Sequence, residues 1–322
     1  MSILEEHGIS ITKRRIVVGL VLFLVLAILV YLGLLFILGA QAPATPYASL
    51  AIASYAASVL AAELVRGLRL TILYKWVTSS RDPVSLRLYA RALLARFSGN
   101  IVSALTPSAL GGEVIRGLVV SEGLRGIPRF IALGLLDGLY DLYANTILAI
   151  LLIGYVGATP MSIIVLLLGL AASASWLLVS LVFSGKWARP SRLVRRLPLV
   201  GSKLVRDASK ILVKGFTPGV LGPASTLTVV SWLVMAAGML PVVNLSCSHS
   251  IDYPHTLAIL LYTYLAGIIP LPAGLGSMDS WLAFTTCPSA ALVWRTGVLA
   301  ALGIMALASL PLVLGRLKLL LE

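Results

Sequence analysis

Residues 103–117 read SALTPSALGGEVIRG, an apolar stretch that stops for a proline, two adjacent glycines, a glutamate and an arginine. Pro107 removes a backbone donor, and Gly111 and Gly112 admit a tight turn and close backbone approach, so a helix is expected to end here. Upstream the chain is basic to Arg96, and it is basic again at Arg116, Arg125 and Arg129. Too few apolar residues lie between to cross twice, since each crossing needs about 20 in a helix. The expectation is a re-entrant helical hairpin near residues 92–113 that enters and leaves on the same side.

That reading fits the rest of the chain, in which 59% of 322 residues are hydrophobic and 11% are charged. Apolar runs long enough to span appear at residues 16–40, 47–64, 130–156, 161–183, 221–245 and 291–314. The first exceeds a signal-peptide core and lacks a small-residue cleavage pattern, so it reads as a retained helix. No stretch has the patterning of a soluble globular domain, which excludes a fused soluble catalytic domain. The fold class is therefore an all-α polytopic membrane protein, a single transmembrane domain over 1–322 with about six full spans.

The net charge of +13 reports orientation before it reports a nucleic-acid partner, and no nucleic acid is expected. Lys13, Arg14 and Arg15 precede the first span, and Arg66, Arg69, Lys75, Arg81, Arg87, Arg91 and Arg96 follow the second. A loop at 184–216 carries nine basic residues between Lys186 and Lys214 against one acid, Asp207. Its main reading is topology plus attraction to anionic lipid headgroups. Of 25 Lys and Arg, all but Arg295 fall on one proposed side, so both termini are expected to be cytoplasmic in an integral cell-membrane protein. Glu63 and Arg66 read as an interfacial, structural pair.

The same accounting makes residues 256–286 leave the outer side and return to it. They contain PLPAGLGSMD at 270–279, so a second re-entrant hairpin broken at Pro272, Gly274 and Gly276 is expected. Pro107-Ser-Ala-Leu-Gly111-Gly112-Glu113 and Pro272-Ala-Gly-Leu-Gly276-Ser277-Met-Asp279 share one pattern: proline, two small residues, leucine, glycine, a small residue, then an acid. Insertion from opposite sides is the mark of an inverted-repeat transporter, with halves at 1–183 and 217–322. Cys247 and Cys287 flank the second hairpin on the outer side, as a candidate disulfide or as two buried free thiols. Their number and spacing suit no metal, and no cofactor motif is present, the nucleotide-binding G-x-x-x-x-G-K-S/T included.

Ionisable residues in these apolar surroundings need partners, water or ligand, because each costs at least about 2.5–3.5 kcal/mol at a helix centre. Asp137, Asp141 and Asn145 lie at i, i+4 and i+8 on one face of the 130–156 span. Arg295 is the available counter-charge, for Asp279 or for that stripe. Asn100, Glu113 and Arg116 complete the candidate substrate-binding set, with an interfacial ion pair as the plainer reading of Glu113 and Arg116.

On N100…P107…GGEVIR, on PLPAGLGSMD and on the acidic pair between them, the chain resembles the membrane region of the lysylphosphatidylglycerol synthase family, a flippase-like domain. The resemblance covers nearly the whole chain. It implies movement of a polar-headgroup lipid between leaflets, either an aminoacylated phospholipid or a polyprenyl-phosphate-linked sugar. It also implies that Asp137 and Asp141 stand in a pattern of acid, Arg, two residues, Asp, in which Gly138 here replaces the arginine. Arg295 is then one source of the missing charge, and a different substrate is the other explanation. Two rival functions remain: an integral lipid-modifying enzyme using Asp137 and Asp141, and a membrane scaffold for a glycosyltransferase. A second copy of the chain is a further candidate partner.

Overall fold

The computed structural model describes residues 46–78, 84–105, 110–120, 127–183, 211–269 and 276–319, and among them there is helix and no strand. The long elements are α1 (Pro46–Thr78), α2 (Leu86–Leu105), α3 (Leu110–Val120) and α4 (Ile127–Leu151). A short α5 (Ile153–Val156) and α6 (Pro160–Phe183) follow, then α7 (Pro218–Ser246), α8 (Tyr253–Ala266), α9 (Ser277–Thr285) and α10 (Pro288–Leu319). Proline opens α1, α6, α7 and α10, where its fixed φ suits the first turn and its missing N–H leaves no intrahelical bond unmade. Asp252 caps α8 by accepting a hydrogen bond from the His255 backbone N–H at 2.9 Å.

Among the described residues four helices, α1, α6, α7 and α10, are long and apolar enough to cross a membrane, as expected of an integral membrane protein. On α6 the side chains of Ile164, Leu167 and Leu178 are exposed, a surface that suits lipid and not water. The expected span at 16–40 and the loop at 184–210 lie outside the described residues.

One boundary differs from the expectation. The second span, expected over 47–64, is part of a single 33-residue helix that carries Glu63, Arg66 and Arg69 inside the protein. The helix continues because LTILYKW after Arg69 is again apolar and offers no breaker. At 1.5 Å per residue α1 is about 50 Å long, well beyond a hydrocarbon core of about 30 Å.

α1 packs along α7 and also meets α2, α4 and α10, while α7 meets α8, α10 and α4. α2 packs on α3 and α10, and α8 packs on α9 and α4; α3 lies on α4, and α9 on α10. The central core joins Trp232, Met235 and Met239 of α7 to Leu261 and Leu265 of α8, with Trp281 of α9 and Trp294 of α10 against them. A second core under α3 and α4 contains Leu70, Leu73, Leu133, Leu136 and Tyr140. Between these two cores lie the buried charges.

Candidate functional site: a buried ion network and a separate ion pair

Each expected hairpin has a helix on both sides of its break. α2 ends at Leu105 and α3 begins at Leu110, while α8 ends at Ala266 and α9 begins at Ser277. Pro107, Pro272 and Gly274 lie outside the described residues. Gly111 and Gly112 sit in the first turn of α3, and Gly276 precedes α9 with φ +89°, a left-handed backbone that favours glycine. α2 and α3 approach closely at Gly112, where a Cβ would overlap the Ser103 side chain and the Gly99 carbonyl.

Beside this crossing the side chains of α1, α2, α3 and α4 form one charged network. Arg69 on α1 is fully buried; its Nε donates to Asp137 Oδ1 at 2.9 Å, Nη1 to Asp141 Oδ1 at 2.8 Å and Nη2 to Asp141 Oδ2 at 2.9 Å. Arg96 on α2 donates to both oxygens of Glu63, at 2.7 and 3.0 Å, and to Asp137 Oδ2. Arg66 donates to Glu63 Oε1 at 3.1 Å and to Ser231 Oγ on α7 at 3.0 Å, and Arg69 also donates to Thr228 Oγ1 on α7 at 2.8 Å. Arg116 on α3 donates to Glu113 Oε1 at 2.7 Å and to Asn100 Oδ1 on α2 at 2.6 Å, with Asp137 Oδ2 3.8 Å away. Bidentate guanidinium–carboxylate geometry of this kind makes strong pairs, and isolating one member of a buried pair costs about 3–5 kcal/mol.

Five of the expected binding residues, Asn100, Glu113, Arg116, Asp137 and Asp141, therefore come together. Asn145, one turn further along α4, does not join; it is 4% exposed and its Oδ1 has no hydrogen-bond partner. Asp279 and Arg295 form a separate buried pair, Arg295 Nε and Nη2 donating to the two carboxylate oxygens at 2.7 and 2.6 Å. Asp279 Oδ2 also accepts from the Gly276 N–H at 3.1 Å, so the acid caps α9 while it holds α10. Of the two acidic sites offered to Arg295 by the sequence, the structure pairs it with Asp279.

The acidic stripe of α4 is met by Arg69 of α1 and not by Arg295. The bare backbone of Gly138 lies against the Glu113 carboxylate, where a Cβ would sit 2.8 Å from Cδ. The other correction concerns Arg66, Arg69 and Arg96, which the positive-inside reading put in a cytoplasmic loop and which are 7%, 0% and 1% exposed in the network. Glu63, the expected interfacial residue, is 2% exposed beside them. The available signal was the Glu63, Arg66, Arg69 spacing at i, i+3 and i+6, one face of a helix whose neighbours are apolar.

Between the network and the second pair lie aromatic rings. The Arg66 guanidinium sits 4.9 Å over Trp232, whose ring meets Tyr264 edge-on at 4.9 Å; the Arg295 guanidinium sits 4.7 Å over Trp294, which packs against Tyr55 at 6.2 Å. The indole N–H groups of Trp232 and Trp294 are buried without hydrogen-bond partners, as are Arg66 Nη2 and Arg116 Nε. Such donors cost about 1–3 kcal/mol each when left unsatisfied and are ready to meet an acceptor. Cys247 at the end of α7 and Cys287 before α10 are joined as a disulfide, with Cα atoms 5.9 Å apart. Compared with protein-family models, with curated proteins and with solved structures, the chain matches none.

Proposed function

We propose that the protein moves a lipid with a phosphate-bearing polar headgroup between membrane leaflets. In this reading α2/α3 and α8/α9 are re-entrant hairpins inserted from opposite sides, with six full spans around them, and the chain is a relative of the flippase-like domain it resembles. The observation that carries it is the eight-residue ion network, buried in an apolar helical protein, that still leaves guanidinium donors of Arg66 and Arg116 unused. Charges so costly in hydrocarbon mark a substrate pathway more readily than a packing device. Helix contacts support the repeat: exchanging α1 with α7, α2 with α8, α3 with α9 and α4 with α10 carries each contact among these eight helices into another that is also made.

The headgroup would pass from Arg116 and Arg66 across the Trp232, Tyr264, Tyr55 and Trp294 rings to Arg295, while its hydrocarbon chains stay in lipid. Asp137 and Asp141, the acid and base an embedded lipid-modifying enzyme would need, are both engaged by arginine, and this favours translocation over that rival. The basic loop at 184–216 is assigned to anionic headgroups, and both termini to the cytoplasm.

Purified protein in liposomes carrying fluorescent phosphatidylglycerol provides the test. Dithionite bleaching of both leaflets, slowed about tenfold or more in Arg116→Ala, is the expected result; each factor of ten corresponds to about 1.4 kcal/mol. Bleaching limited to the outer leaflet with the parent protein refutes translocation of this lipid class, and a chemically altered headgroup favours the enzyme.

A further inference from the structure

The four arginines and four carboxylates of the network balance when every acid is ionised, but the acids are unequally held. Glu63 has Arg66 and Arg96; Asp137 has Arg69 and Arg96, with Arg116 at 3.8 Å; Asp141 has Arg69 at 2.8 Å, Arg66 at 3.5 Å and Arg96 at 3.7 Å. Among the described residues Glu113 has Arg116 alone, through Oε1. Its Oε2 is buried without a hydrogen-bond partner, and so is Nε of Arg116.

Two helices pack on α3, and the groups they turn toward Glu113 are known. α2 contributes Arg96, and Asn100 through its bond to Arg116; α4 contributes Asp137 and Asp141. Asp137 and Asp141 carry the same charge as Glu113, and Arg96 is occupied by Glu63 and Asp137. Gly138 holds the carboxylate against bare backbone, with a hypothetical Cβ 2.9 Å from Oε1 and 3.0 Å from Oε2.

We propose that Glu113 takes up one proton when a phosphodiester headgroup binds, making the network a proton-linked anion site. The proton goes to the carboxylate, and the ion pair with Arg116 Nη1 is lost. Arg116 remains held through Nη2 by Asn100 and turns Nη1, released by Glu113, to a phosphate oxygen, a charge-assisted bond of the kind that guanidinium makes to phosphate. One positive charge enters with the proton and one negative charge with the phosphodiester, so the buried network stays balanced. An anion entering without the proton would leave a net buried charge, whose cost is high in this setting. This rests on the lipid-translocation reading and adds to it a stoichiometry and a direction of pH dependence.

Two-buffer calorimetry on the full chain in detergent measures it, because the difference in heat between buffers of unlike ionisation enthalpy counts protons. The probes are short-chain phosphatidylglycerol and geranyl phosphomannose, phosphodiesters that do not themselves titrate between about pH 5.5 and 8.5. About one proton taken up per headgroup is expected, with affinity rising up to about tenfold per unit fall in pH while Glu113 is ionised in the free protein. Glu113→Gln, the permanently neutral form, should bind with no proton uptake and no pH dependence, at the parent's low-pH affinity. Should that variant not fold, Glu113→Asp replaces it and should keep the uptake with a displaced midpoint. Tighter binding of one probe identifies the phospholipid or the prenyl source. Parent binding without proton uptake, or Glu113→Gln with the parent's uptake, overturns the proton link and leaves translocation standing. Failure of the parent to bind either probe at any pH overturns both.

Discussion

The two broken helices of this protein use one sequence pattern and hold themselves by different means. At α2/α3 the acid after the glycines, Glu113, faces a network drawn from four helices, and the two arms approach at Gly99 and Gly112, each of which lies close to the other's carbonyl. At α8/α9 the acid, Asp279, caps its own helix and meets a single arginine, while a disulfide closes the chain around the hairpin between Cys247 and Cys287. The first arrangement stores many interdependent charges. The second holds a single pair beside a covalent closure.

The largest effect that would break this comparison is at Arg69. Arg69→Ala leaves Asp137 and Asp141 without their main counter-charge, and a loss of about 3–5 kcal/mol is expected, read as a collapse of monodisperse yield in detergent. Arg295→Ala should cost less, because it strands one acid that keeps its bond to the Gly276 N–H. Equal losses in the two variants would remove the contrast. Next in size is the disulfide: the Cys247→Ser, Cys287→Ser double variant spans a sequence separation of 40 and should lose about 2–4 kcal/mol, seen as a lowered Tm that reductant reproduces in the parent. The smallest effect on stability should come from Gly138→Ala, which displaces the Glu113 carboxylate and costs about 1–3 kcal/mol as overpacking. Under the proposed function its effect on headgroup binding should exceed its effect on Tm, which would sharpen the contrast between α2/α3 and α8/α9.

Much of this was legible in the residues. Proline and glycine punctuation marked both breaks, because a backbone that cannot continue a helix announces itself locally. The i, i+4 spacing of Asp137 and Asp141 put them on one face, and both meet Arg69. Asp279 with Arg295, and Cys247 with Cys287, were among the pairings on offer. Arg66, Arg69 and Arg96 were misread for a definite reason. Counting positive charges distinguishes sides of a membrane only if each arginine is solvated, and an arginine neutralised by an acid on another helix looks identical in sequence. Arg69 and Asp137 stand 68 positions apart in the chain, on α1 and α4. Such compensation is a property of packing and has no local trace.

The glycine crossings at α2, α3 and α4 carry a mechanical consequence. Gly99 and Gly112 bring α2 and α3 to backbone contact, and Gly134 does the same for α4 against the Glu113 carbonyl. Helices separated by side chains can shear by exchanging rotamers, whereas helices in backbone contact have no such bearing between them. α2, α3 and α4 are therefore expected to move as one stiff plate, carrying Glu113, Arg116 and Asp137 without changing their spacing. α1 is tied to that plate by the Arg69–Asp137, Arg69–Asp141 and Arg96–Glu63 pairs, so relative motion is expected between α1 and α7, where Arg66 and Arg69 bond the hydroxyls of Ser231 and Thr228, bonds that water can replace one at a time.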